Sequence, residues 1–127
     1  MSVELDHLGI AVRSIEEAAQ FYQDLLGMEI VHREIVEQEK VQVAMLPPIE
    51  LLEATEPDST IAKFIEKRGS GLHHIALRVD DFDGTVARLR SAGVRLLNEP
   101  RAGAGGHTYV FVHPASTGGV LLELIRK

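Results

Sequence analysis

The sequence predicts an α+β chain: two paired β-α-β-β-β modules forming one cupped mixed sheet. The first observation behind this is an internal repeat. Asp6-His7-Leu8-Gly9-Ile10-Ala11-Val12 returns as His73-His74-Ile75-Ala76-Leu77-Arg78-Val79, with His7 over His74, Ile10 over Leu77 and Val12 over Val79. The correspondence runs on through Ile15 over Phe82 and Tyr22 over Leu89. The second observation is periodicity. In both copies apolar residues alternate, then recur at helical spacing, then alternate again. Half-open sheets have edges to protect, and two of them can pair about a pseudo-twofold axis. The inner faces of both sheets would then bound one shared cleft.

A length of 127 residues suits a single domain. Within it, residues 3–55 read as the first module, 56–70 as a linker helix and 71–127 as the second module. An apolar fraction of 45% supports a packed interior. The net charge of −6, with no basic cluster, speaks against nucleic acid as a partner. The chain has no cysteine, which removes thiol chemistry and fits a reducing compartment. The first strand pattern begins within a few residues of Met1, with no leader or membrane span before it. A cytoplasmic protein with no membrane partner is the expectation.

Along the first module, residues 3–12 alternate as a strand. Ser14 stands three residues before Glu17, the spacing of a capping box. Ile15, Ala18, Tyr22, Leu25 and Leu26 form an apolar stripe, and Gly27 is placed to end that helix. Met28–Val36 and Val41–Leu46 read as strands joined by a polar turn. Pro47-Pro48 then breaks the pattern before the strand Ile49–Glu53. Glu56-Pro57-Asp58-Ser59 starts the linker helix, whose apolar contacts are Ile61, Phe64 and Ile65. The second module repeats the plan: strand 72–79, a helix capped by Asp80 or Asp81 and stopped at Gly93, then short strands at Val94–Leu97, Tyr109–Val112 and Val120–Ile125.

The polar residues inside these apolar runs carry the chemistry. His7 and His74 hold equivalent inward strand positions. The last strand of each module carries a carboxylate among apolar neighbours, Glu50 in the first and Glu123 in the second. An acid flanked by leucines costs several kcal/mol when buried without a partner. An isolated strand histidine is usually a hydrogen-bonded core or surface residue. Two imidazoles and two carboxylates in the register of a repeat instead suit a divalent metal: Co2+, Mn2+, Fe2+, Ni2+ or Zn2+, given nitrogen and oxygen donors without sulfur. Gly9, Ala11 and Ala76 are small and leave room beside the histidines. His73 points away from His74, while His32 and His107 read as ordinary surface residues. His113 and Ser116, in the loop His113–Gly119, and Lys63 on the linker helix are candidate substrate contacts.

On these residues the chain resembles the vicinal oxygen chelate superfamily of glyoxalase-like proteins. Four stretches resemble more narrowly its methylmalonyl-CoA epimerase family: Ile49–Glu53, Asp58–Phe64, Gly71–Ala76 and His113–Leu124. The resemblance implies that His7, Glu50, His74 and Glu123 ligate a divalent metal, Co2+ foremost. It implies an acyl-CoA substrate, a homodimer, and epimerisation of (R)- and (S)-methylmalonyl-CoA by proton abstraction at C2 through a metal-stabilised enediolate. Glu123 is then a metal ligand and the candidate catalytic base. The family also places a second glutamate near the third strand. In this chain that position falls at Glu37 or Glu39, which keeps two bases, or at Gln38 or Gln42, where an amide can orient a water or an oxyanion but cannot shuttle a proton. Gln42 therefore joins the candidate substrate contacts.

Two other readings remain. Another enzyme of the superfamily, a glyoxalase-type isomerase or an iron dioxygenase, is the first. A dioxygenase uses two histidines and one carboxylate, and a fourth ligand at Glu50 speaks against it. A non-catalytic small-molecule-binding protein of the same fold is the second, and it would need no ligand set.

Overall fold

The computed structural model describes residues 2–126. Eight strands and three α-helices follow one another as β1 (Val3–Ala11), α1 (Ile15–Ala19), β2 (His32–Val36), β3 (Val41–Leu46), β4 (Ile49–Ala54), α2 (Thr60–Arg68), β5 (Gly71–Val79), α3 (Phe82–Ser91), β6 (Arg101–Ala102), β7 (Thr108–Val112) and β8 (Leu122–Arg126). The chain divides into two compact units. One spans His7–His73; the other joins the stretch up to Asp6 to the residues from His74 onward. Among the described residues, no helix is long and apolar enough to cross a membrane.

In the His7–His73 unit the strands are ordered β2-β3-β4-β1. The β2-β3-β4 pairs are antiparallel and β1 runs parallel to β4, with Gly9 opposite Glu50. One sheet face packs on the first helix. Ile15, Ala44, Leu46 and Leu51 are fully buried there, with Ile10, Val12, Ala18 and Tyr22 against them. The helix starts where Ser14 Oγ accepts from the Glu17 N–H, and Glu53 of β4 accepts from the Ile15 N–H at 2.7 Å. These contacts satisfy donors that a helix start leaves open.

Beyond Ala19 the helix widens into a π-turn over Gln20–Leu25 and ends at Gly27, whose φ of +76° suits glycine. The wider turn, seen in the bond from the Leu26 N–H to the Phe21 carbonyl, rotates the later residues out of phase with the core. Leu25 and Leu26 are therefore exposed rather than part of the buried stripe. Regular pairing of β2 begins only at His32, so the strand expected from Met28 is shorter.

In the other unit the order is β5-β8-β7-β6. β5 runs parallel to β8 with Ala76 opposite Glu123, and β7 is antiparallel to both β8 and β6. Val79, Phe82, Val86, Val110, Val112 and Leu124 form the core on the helix side. Asp81 caps α3 by accepting from the Gly84 N–H. Arg78 of β5 donates to Asp6 and Glu4, tying the leading residues of β1 into this unit. The segment expected as a strand at Val94–Leu97 makes only an isolated bridge, Leu96 opposite Val112. Regular pairing along that edge of β7 falls instead to Arg101–Ala102.

Candidate active site

Strand alternation sorts each sheet into a helix-packed face and a second face, and the polar residues of interest lie on the second. In the His7–His73 unit, His7 and Glu50 are both about 95% buried, at 4% and 5% exposure. His7 Nε2 stands 3.2 Å from Glu50 Oε1. The local cause is the parallel register. Gly9, with no side chain, lies beside Glu50, so the carboxylate leans back to the imidazole two residues earlier.

The other unit repeats this. His74 is 4% exposed, and its Nε2 stands 3.2 Å from Glu123 Oε1. Ala76 lies beside Glu123 as Gly9 lies beside Glu50. The cross-strand neighbours also correspond: Met45 opposite Glu50, and Phe111 opposite Glu123. Phe111 sets its ring edge-on to His74, with centroids 5.5 Å apart. His7, Glu50 and His74 offer buried imidazole nitrogens and a carboxylate oxygen of the kind that hold a metal ion. Two ligand atoms each about 2.1 Å from one ion stand roughly 3.0–3.4 Å apart. The separations found in both units fit that range. A single contact of this length is equally an ordinary hydrogen bond; here it recurs at equivalent positions of the two units.

The remaining candidates spread out. His73 turns away and packs its ring on Phe64 of α2, at 5.0 Å between centroids. Glu37 and Glu39 lie in the 3-10 turn after β2. That turn precedes Val41, four residues along β3 from the Met45 that faces Glu50, or about 13 Å of strand. Gln42 pairs with Glu53, on the face that meets α1, and so faces away from Glu50. Lys63 is exposed on α2. His113 Nδ1 accepts from the Ala115 N–H and so caps the short turn containing Ser116, which is exposed.

Sequence reasoning set His32 aside. The structure brings its Nε2 to 2.6 Å from Glu34 Oε1, on the sheet face that carries Glu50. The available signal was the spacing itself. Residues i and i+2 of a strand share a face, so His32-Arg33-Glu34 sets an imidazole beside a carboxylate.

The chain matches the sequence profile of the glyoxalase/bleomycin resistance protein/dioxygenase superfamily over residues 6–111. It is 42% identical to an uncharacterized protein of Bacillus subtilis over 125 residues, 94% of this chain and 89% of that one. It is 36% identical to the mitochondrial methylmalonyl-CoA epimerase of Homo sapiens over 126 residues, 94% of this chain and 72% of that one. The crystal structure of methylmalonyl-CoA epimerase from Mycobacterium tuberculosis superposes with a TM-score of 0.89 at 42% identity, covering 97% of this chain and 87% of that one. The chain belongs to the glyoxalase/bleomycin resistance protein/dioxygenase superfamily and, within it, to the methylmalonyl-CoA epimerase family.

Proposed function

We propose that this chain is an epimerase interconverting (R)- and (S)-methylmalonyl-CoA, dependent on a divalent ion held by His7, Glu50, His74 and Glu123. One observation carries the reading: each unit holds a buried imidazole–carboxylate pair at the same place in the repeat, closed to the same 3.2 Å. Kinship with methylmalonyl-CoA epimerases supplies the substrate, an acyl-CoA. The donor set of nitrogen and oxygen fits Co2+ foremost, with Mn2+, Ni2+, Zn2+ and Fe2+ as alternatives. We assign the active form as a homodimer in the cytoplasm. The exposed Phe21, Leu25, Leu26 and Ile35 offer apolar surface for a second copy.

When bound, a divalent ion polarises the thioester carbonyl and so acidifies the hydrogen on C2. Glu123 takes that hydrogen as a proton on its carboxylate. Its setting suits the task. Its side chain is only 12% exposed and lies beside the buried His74, which limits the water competing for the carboxylate. His7, Glu50 and His74 are held by strands packed on a helix core, so little reorganisation accompanies binding. Proton NMR of methylmalonyl-CoA in deuterium oxide tests the reading. Loss of the C2 proton signal should be fast with added Co2+ and slow after chelation. Exchange at the uncatalysed rate with every divalent ion would refute it.

A further inference from the structure

Inverted C2 must receive its proton from the face opposite the one that lost it, a task suited to a second proton group. On β3 the residues sharing the face of Glu50 are Val41, Val43 and Met45, none of which has a group able to transfer a proton. The next strand differs. Register places His32 opposite Met45 and Glu34 opposite Val43, while Arg33 reaches the other way to Glu16 of α1. His32, Met45 and Glu50 thus lie in one row across three strands. Two interstrand steps put the His32 backbone about 10 Å from that of Glu50. The imidazole is 48% exposed, so a ligand can reach it, while its Nε2 is held 2.6 Å from Glu34 Oε1.

We propose that His32, oriented by Glu34, is the second proton-transfer residue, serving the face of C2 that Glu123 does not serve. The inference rests on the epimerase reading above. Imidazole both accepts and donates a proton near neutral pH, which a residue working in both directions requires. From one epimer, the C2–H bond breaks, its proton goes to the Glu123 carboxylate, and its electron pair enters the thioester carbonyl as an enolate. The imidazolium of His32 then gives its Nδ1 proton to C2 from the other side. The enolate pair forms the new C–H bond, and Nε2 keeps its hydrogen to Glu34. Glu123 is left as the acid and His32 as neutral imidazole, the starting state for the opposite epimer. Exchange with water resets both between turnovers in one direction.

The test uses His32→Gln and Glu34→Gln in the cobalt-loaded protein, with each methylmalonyl-CoA epimer supplied separately in deuterium oxide. Epimerisation by His32→Gln should fall about 10²–10⁴-fold. The epimer that presents its hydrogen to Glu123 should still take up deuterium at C2 with retention, and Co2+ affinity should equal the parent's. Glu34→Gln should show a smaller loss in the same sense. Epimerisation by His32→Gln at the parent rate would overturn the proposal, as would equal loss of exchange from both epimers. If the parent itself exchanges neither epimer, the epimerase reading falls and this inference with it. If the parent works and His32→Gln epimerises normally, this inference alone fails.

Discussion

Glu123 stands between Leu122 and Leu124 on a strand, and its contact with His74 makes an acid tolerable there. Replacing the carboxylate by its amide keeps shape and a coordinating oxygen while removing the basic site. Glu123→Gln should therefore retain bound Co2+ yet lose C2 exchange from the epimer that presents its hydrogen to Glu123 by about 10²–10⁴-fold; parental exchange of both epimers in the NMR assay would show the base lies elsewhere. The two adjacent histidines give a matched control. His74→Ala should cost more Co2+ affinity than the roughly 10–100-fold typical of removing an outer hydrogen-bond partner of a metal ligand. His73→Ala, which loses only a ring contact with Phe64, should titrate like the parent by calorimetry. The repeat and the oddity of acids among leucines single out His7, Glu50, His74 and Glu123 in the sequence; of these the structure offers His7, Glu50 and His74 as possible ligands of a metal ion. His32 is not singled out, because its i, i+2 spacing from Glu34 does not say which sheet face the pair occupies. The role proposed for it depends on the β2-β3 register, which only the fold supplies.

At the scale of elements, the fourth strand of each unit does two jobs at once. β4 presents Glu50 on one face, and three residues later Glu53 accepts from the Ile15 N–H. β8 presents Glu123, and three residues later Arg126 holds Asp83 in the first turn of α3, at 2.8 Å. The two ties use opposite charges at equivalent places, so helix and carboxylate strand are coupled in both. Arg126, chiefly through its hydrogen bonds, lowers the Asp83 pKa. A depressed carboxylate stabilises the fold above the unfolded value near 3.9 and loses that contribution as pH falls through the folded value. The urea midpoint of the parent should drop on acidification below about pH 4, and that of Asp83→Asn should drop less steeply. The helix core matters more: Phe82 is 2% exposed, and Phe82→Ala should cost about 3–5 kcal/mol in urea unfolding. Long strands such as β1, β3 and β5 could be read from sequence because apolar residues recur along them at a strand's spacing. The π-turn after Ala19 could not, since widening by one residue leaves apolar composition unchanged while swinging Leu25 and Leu26 outward.

For the whole molecule, the repeat is the economy behind the chemistry: one β-α-β-β-β plan supplies one imidazole and one carboxylate, and two copies supply the four donors proposed for a divalent ion. The plan is duplicated more faithfully in these donors than around them. Where the first unit has Val43 and Glu34 cross-strand from each other, the second has Tyr109 and Arg101, with Arg101 Nε donating to the Tyr109 hydroxyl at 2.9 Å. The proposed chemistry hangs on the two pairs sharing one ion. Anomalous diffraction from cobalt-loaded crystals measures this directly. The expected result is one cobalt peak per chain, about 2.0–2.2 Å from His7 Nε2, His74 Nε2 and an oxygen of each of Glu50 and Glu123. Two separate peaks, or a peak ligated by one pair while the other stays closed on itself, would contradict it.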